Sequence, residues 1–325
     1  MKTTIIDYFA ENIKQLLNEV DELLYSSLTE IRLRVNMPII LYTHSGEFTI
    51  TEVGQIKQNI SDGYKVQKVD ILKTIELVSN FSLYAFENEL KNGYITIPGG
   101  HRVGICGTTV VDGDRIKTIK NFSGINIRIC HQIFDVSKPL INHIVSINEN
   151  IPKVFHTMII SPPACGKTTM LRDIIRLLSY GVLGKFNGLT VGVVDERSEI
   201  AGSYQGIYQN DVGPRTDVLD ACPKDLGMIM LLRAMAPKVI AVDELGKEND
   251  ILALEDIINS GVKVICTVHG NTLDELKKKD TLKYILDKEI FERYIVLGKP
   301  SEFGNIKEIY NKKFETIEFC NENMF

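Results

Sequence analysis

The segment 161–169, SPPACGKTT, constrains the fold more than any other stretch of this chain because of what flanks it. Residues 154–160 (VFHTMII) read as a buried strand, and 170–178 (MLRDIIRLL) put Leu171, Ile174, Ile175 and Leu178 on one helical face. A strand, a loop of small residues and a helix, in that order, make a cradle for phosphate. Successive backbone N–H groups curl around the anion at the positive end of the helix. In this reading Ser161, Pro162, Pro163, Ala164, Cys165, Gly166, Lys167, Thr168 and Thr169 contact a nucleotide. Lys167 reaches the β- and γ-phosphates, the Thr168 hydroxyl ligates Mg²⁺, and Thr169 covers the α-phosphate. Ser161 stands where such loops usually open with glycine, and Pro162 and Pro163 fix φ after it. Gly166 precedes the lysine, where a side chain would crowd the phosphate. Cys165 reads as a small buried neutral side chain, or as a thiol whose oxidation would block the loop.

With 325 residues, 44% of them hydrophobic, the chain is long enough for two globular domains. A net charge of −5 argues against a surface built to hold nucleic acid stably. Asp7 and Glu11 interrupt the apolar residues of the N-terminus, unlike a secretory signal, and no apolar run approaches membrane-spanning length, so a cytoplasmic location is expected. Cys106, Cys130, Cys165, Cys222, Cys266 and Cys320 are scattered without a C-x-x-C pair, so neither disulfides nor zinc is expected.

Apolar spacing predicts one long amphipathic helix over 5–24. It is followed by a β-meander from 30 to 51, helices near 69–80 and 85–91, and β-segments at 94–98, 102–111 and 124–130, with a turn at Asp112-Gly113. This gives a smaller α+β N-terminal domain over residues 1–140, its junction falling within the aperiodic stretch 131–152. In residues 141–325, strand-like runs at 189–195, 238–244 and 262–268 alternate with helical stretches at 224–236, 250–259 and 272–287. Closing strands are expected at 293–297 and 307–319. That alternation predicts an α/β domain with a parallel central sheet covered by helices.

Ligands collect at the carboxyl ends of parallel strands, which directs attention to the residues ending each run. Asp243 is placed to hold the Mg²⁺ shell and Glu244 to polarise an attacking water, unless both simply cap the following helix. Glu196 is a second candidate base, or else Glu196 or Glu199 is paired in a salt bridge with Arg197. His269 and Thr267 could sense a γ-phosphate or be satisfied strand-end residues. Arg215, in DVGPRTD, could serve a pore, a partner or a phosphate. If catalysis is completed from outside the phosphate-loop domain, Arg102 and Arg128 are the candidates, with ordinary surface arginines as the alternative.

The runs EIRLRVNMPIILY, PGGHRVGICG, NIRI, SPPACGKTTMLRD, VVDERSEIAG, DVGPRTDVLDACPKDLGMIMLLRAMAPKVIAVDELG and CTVHG extend over most of the chain. Together they resemble the stage III sporulation AA branch of the ATPase family that drives type II and type IV secretion and pilus motors. The resemblance implies a RecA-like P-loop (AAA+) ATPase domain behind a PAS-like N-terminal domain. It also implies a hexamer, ATP and Mg²⁺ as ligands, and a site in the mother-cell cytoplasm, docked at the membrane through the proteins of a sporulation channel. The family's phosphate-loop lysine and threonine fall on Lys167 and Thr168, its metal-site acid on Asp243, its adjacent glutamate on Glu244, and its acidic-box and histidine-box positions on Glu196 and His269. The cysteine spacing does not match the four-cysteine zinc module of some secretion ATPases.

The expected function is therefore a Mg²⁺-dependent ATPase that powers or gates a channel assembly during endospore formation. A nucleotide-gated scaffold with little turnover is the alternative. A small-molecule kinase would need an acceptor pocket and a lid, and the sequence carries no signature of either.

Overall fold

A computed structural model describes residues 5–82, 86, 93–113, 115–148, 151–182, 185–298 and 306–319. Its contacts divide the chain into two units, one comprising 1–131 with 202–209, the other 132–201 with 210–325.

In the first unit the helical periodicity is carried by separate short helices, α1 (Glu11–Asn18) and α2 (Glu22–Ser27), and not by the single helix expected over 5–24. Asp21 restarts the helix, its carboxylate accepting the Leu24 amide at 2.7 Å. The inward face nevertheless stays in phase, and Ile5, Phe9, Ile13 and Leu17 are all buried. They cover a seven-stranded antiparallel sheet of order β4-β3-β2-β1-β7-β6-β5. Its strands are β1 (Leu28–Arg34), β2 (Ile40–Thr43), β3 (Gly46–Ile50), β4 (Ile56–Lys57), β5 (Tyr94–Ile97), β6 (His101–Asp112) and β7 (Arg115–Arg128). Helix α3 (Lys68–Val78) packs Ile71, Ile75 and Val78 into the same core. The helix expected near 85–91 lies, but for Phe86, outside the described residues.

The second unit opens with α4 (Ile141–Ile144) and a hairpin of β8 (Val145–Asn148) and β9 (Ile151–Val154). The run 154–160, expected as one strand, is thus divided, and only β10 (Thr157–Ser161) enters the main sheet. The break falls at Phe155-His156, where the His156 amide donates to Glu292 at 3.0 Å. Helix α5 (Lys167–Tyr180) follows the phosphate loop. A small hairpin, β11 (Gly181–Val182) with β12 (Phe186–Asn187), leads to β13 (Val191–Asp195), β14 (Thr216–Asp220), α6 (Lys224–Met235), β15 (Val239–Val242), α7 (Glu248–Asn259) and β16 (Lys263–His269). Two short helices, α8 (Leu273–Leu276) and α9 (Asp280–Asp287), stand where one was expected over 272–287. The Lys279 amide closes α8 on Leu276 at 3.0 Å, and α9 starts at the next residue. The chain then forms β17 (Arg293–Leu297), β18 (Ile306–Asn311) and β19 (Thr316–Ile317), so the stretch expected as one closing strand is a hairpin.

The sheet order is β14-β13-β15-β16-β10-β17-β18-β19, parallel through β17 and antiparallel at the β18–β19 edge. Strands β10, β13 and β15 are buried along their whole length, as a sheet covered on both faces requires. Ile159, Val193, Ala241 and Ile265 pack with Leu171, Ile174, Ile175 and Leu178 of α5 on one face. The alternate residues Ile160, Val194, Val242 and Cys266 pack with Met228 and Leu231 of α6 and Leu254 of α7 on the other. The carboxyl ends of β13, β15, β16 and β10 consequently stand side by side.

Candidate active site

The phosphate loop opens without strain although it lacks its usual glycine. Ser161 is the last paired residue of β10, set against His269 of β16, and its carbonyl accepts the Gly270 amide at 3.2 Å. Left-handed backbone falls later, at Ala164 (φ 59°) and Gly166 (φ 83°), and α5 starts immediately after the latter. A first position in extended geometry accepts serine as readily as glycine; the conformational demand rests on Gly166. Cys165 is buried, and burial holds its thiol above the ordinary range, in keeping with a neutral packing residue.

Lys167, at the first turn of α5, has only 9% of its side chain exposed. Its ammonium pairs with Glu244 and lies 3.8 Å from Asp243 Oδ1. The Thr168 hydroxyl donates to Asp243 Oδ2 at 2.5 Å. Asp243 and Glu244 directly follow β15, and the fully buried Thr267 of β16 locks them in place. Its hydroxyl donates to Asp243 Oδ1 and accepts the Glu244 amide at 2.9 Å, and its carbonyl accepts the Leu245 amide at 2.8 Å. These bonds hold Glu244 at φ 55°, a left-handed conformation costing a β-carbon-bearing residue on the order of 1 kcal/mol.

Two further side chains meet the same carboxylate. Arg197 reaches Glu244 Oε2 at 2.7 Å and His269 Nε2 lies 3.0 Å from Oε1. Burial alone would raise the Glu244 carboxyl, but the Lys167 hydrogen bond and the Lys167, Arg197 and His269 charges outweigh it and hold the group below the usual carboxylate range. The donor set suits phosphate and Mg²⁺. A helix N-terminus and a buried ammonium already neutralised by an anion face one side, and a hydroxyl paired with a carboxylate, the protein ligands Mg²⁺ commonly takes, faces the other.

Beside this cluster, Asp195 ends β13 almost wholly buried and accepts the amides of Glu199, Ile200 and Ala201 at 2.8, 3.0 and 2.9 Å. Burial still raises its carboxyl. From α5, buried Arg172 donates to the carbonyls of Ile200 and Glu199, both at 2.6 Å, so the phosphate-loop helix grips the loop that carries Glu196 and Arg197. Glu196 pairs with buried Lys224 of α6 and lies 3.5 Å from exposed Lys247. Burial would raise the Glu196 carboxyl, and the Lys224 hydrogen bond and the two lysine charges bring it below the usual range.

The sequence-selected residues Lys167, Thr168, Asp243, Glu244 and His269 therefore meet in one cluster, with Thr267 beneath them; Glu196 sits in the adjacent one. Thr169 lies in the first turn of α5. Arg215 anchors its loop to α5, donating to the Ser179 carbonyl at 2.9 Å. In the first unit, Arg102 and Arg128 face each other across β6 and β7. Arg102 stacks 4.2 Å above the Tyr94 ring, and Arg128 lies 3.9 Å from Glu30 with most of its side chain exposed. Sequence reasoning missed Arg172 and Lys224. Lys224 did carry a signal, since a lysine in the first turn of a helix opposes the helix dipole and calls for an acidic neighbour. Arg172 carried none, because its partners are backbone carbonyls.

The family model described as sporulation stage III, protein AA matches residues 1–317. Stage III sporulation protein AA of Bacillus subtilis (strain 168) is 37% identical over 310 residues, covering 95% of this chain and 94% of that protein. The Legionella pneumophila ATPase DotB shares the fold with a TM-score of 0.53 at 16% identity, covering 92% of this chain and 80% of its own. The pilus retraction motor PilT, solved with bound ADP, does so at 0.51 and 13%, covering 85% and 76%. The second unit thus has the mixed α/β architecture of the RecA-like secretion ATPases. Among the described residues no helix is long and apolar enough to cross a membrane. By its sequence along nearly all its length, the chain belongs to the sporulation stage III protein AA family.

Proposed function

We propose that this protein is a Mg²⁺-dependent ATPase that powers or gates a secretion-type channel assembly during endospore formation. The observation that carries the reading is the convergence of Lys167, Thr168, Asp243 and Glu244 at the carboxyl ends of adjacent parallel strands, beside the left-handed Gly166. Backbone amides of the phosphate loop and Lys167 hold the β- and γ-phosphates, and Thr168 with Asp243 would hold Mg²⁺, which when bound neutralises charge on the phosphate oxygens. Glu244 orients the attacking water and takes its proton. Glu196 supports the neighbouring loop and can assist as a second base. His269, hydrogen-bonded to Glu244, is placed to report the state of the site to the rest of β16.

Membership of a sporulation family and the secretion-ATPase fold support a homo-oligomer, a hexamer in our reading. They also support a mother-cell cytoplasmic location with membrane proteins of a sporulation channel as partners. Arg102 and Arg128 are then the residues proposed to complete the site at a subunit junction.

The test is nucleotide binding and turnover by one purified protein. Lys167→Ala is expected to weaken binding of a fluorescent ATP analogue about a hundredfold or more and to abolish phosphate release. Undiminished affinity in that variant would overturn the assignment. Phosphate release from wild type at the background rate, with binding intact, would favour a scaffold ordered by nucleotide.

A further inference from the structure

Three positively charged or proton-donating side chains from three separate elements converge on Glu244: Lys167 from α5, Arg197 from the loop after β13, and His269 from the end of β16. A single carboxylate seldom collects so many donors when its role is only to accept a proton. One of its oxygens already takes Lys167 and His269 and the other takes Arg197, which leaves little lone-pair capacity for a water. The convergence suits an anion of higher charge with more acceptor oxygens. A terminal phosphate has three equatorial oxygens, and planar guanidinium groups match phosphate as well as they match carboxylate.

Arg197 also stands on a braced support. Its loop is held from within by Asp195, which gathers three amides, and from α5 by Arg172, which grips two carbonyls. The Arg197 side chain nevertheless stays 58% exposed. A rigid base beneath a solvent-reaching head is what a ligand-contacting arginine needs. A merely structural ion pair has no use for the double bracing.

We propose that Lys167, Arg197 and His269 form a cage for the terminal phosphate of a nucleoside triphosphate, that Glu244 competes with that phosphate for the cage, and that Arg197 sets the preference for triphosphate over diphosphate. The inference rests on the nucleotide-binding reading above and adds to it a selecting residue and an internal competitor. Entry of the terminal phosphate draws Lys167 and Arg197 away from Glu244, whose oxygens then become available to water. A diphosphate, which lacks the third phosphoryl group, engages Lys167 but leaves Arg197 on Glu244.

Equilibrium binding of a non-hydrolysable ATP analogue and of ADP, each with Mg²⁺, to four proteins tests this: wild type, Arg197→Gln, Glu244→Gln and the double variant. Arg197→Gln should weaken the triphosphate analogue about tenfold and change ADP by less than about twofold. Glu244→Gln should tighten the triphosphate analogue by about tenfold by removing the competitor. In the double variant, loss of Arg197 should still weaken the triphosphate relative to Glu244→Gln alone. No further weakening there would mean that Arg197 acts only by holding Glu244, and the proposal falls. Equal weakening of both nucleotides by Arg197→Gln would also overturn it. A wild type that binds neither nucleotide would overturn the function itself, a result distinct from both.

Discussion

The dipeptide Asp-Glu ends two neighbouring strands of the parallel sheet, as Asp195-Glu196 after β13 and Asp243-Glu244 after β15, and the two copies are used in different ways. Asp195 is consumed by its own loop, with three backbone amides on its carboxylate and almost no exposure. Asp243 meets hydroxyls, from Thr168 and Thr267, and a distant ammonium, so its oxygens stay exchangeable. The glutamates differ in the same sense. Glu196 pairs with a lysine on α6, whereas Glu244 pairs with the lysine of the phosphate loop and is held in left-handed backbone. The two acidic pairs are alike in residue type and differ in the donors that face them.

The strongest way to break this contrast is turnover. Glu244→Gln should lower steady-state phosphate release by about a hundredfold or more, the usual contribution of a positioned general base. Glu196→Gln should lower it by less than about tenfold, because Glu196 pairs with Lys224 of α6 and not with the lysine of the phosphate loop. Equal losses in the two variants would mean that the acidic pair after β13 shares the chemistry after all.

Much of this contrast was hidden in the sequence, for identifiable reasons. The order strand, loop, helix around Lys167 was legible because hydrophobic period and glycine position are local signals. So was the placement of Asp243 and Glu244, since carboxylates that end an apolar run of a parallel sheet stand where ligands collect. The difference between the two Asp-Glu pairs was not legible. It depends on Arg172 gripping carbonyls 27 and 28 residues away and on Lys224 reaching back 28 residues to Glu196, contacts that no periodicity records. Strand β14 was missed because Thr216–Asp220 carries an aspartate on either side of a short apolar core and pairs only on one side, at the sheet edge. The division of 5–24 into short helices was missed on different grounds: the burial stripe runs through the break in phase.

A middle-sized effect sharpens the contrast through Thr267, the hydroxyl on which the Asp243-Glu244 turn depends and which has no counterpart beside Asp195 among the described residues. Thr267→Val removes a donor to Asp243 and the acceptor of the Glu244 amide in a fully buried place, and should cost about 1–3 kcal/mol in urea unfolding. Thr267→Ser should restore most of that stability. If the hydroxyl aims Asp243, Thr267→Val should also raise the Mg²⁺ concentration needed for half-maximal nucleotide binding. Unchanged Mg²⁺ dependence with lowered stability would reduce Thr267 to a packing residue.

The smallest expected effect is on acid stability, where the glutamates must be separated from two buried histidines. Burial lowers His101 and His156 to about 4 from 6.5, so the unfolded chain binds protons that the folded one refuses between those values. Stability from this source is complete above about 6.5 and falls as the pH drops toward about 4. The glutamates act lower. Glu196 and Glu244 are held below the ordinary 4.5, so their contribution is complete above that value and is lost as the pH falls through the depressed folded values. Both carboxylates are partly reached by solvent, which keeps each contribution to about 1 kcal/mol or less. Urea midpoints measured from pH 7 to pH 3 should therefore show one decline shared by wild type and Glu196→Gln above about 4.5, then a shallower decline in the variant below it. An upper decline altered by Glu196→Gln would place the Glu196–Lys224 pair in the wrong pH window. It would show that the pair does more than tie Glu196 to α6.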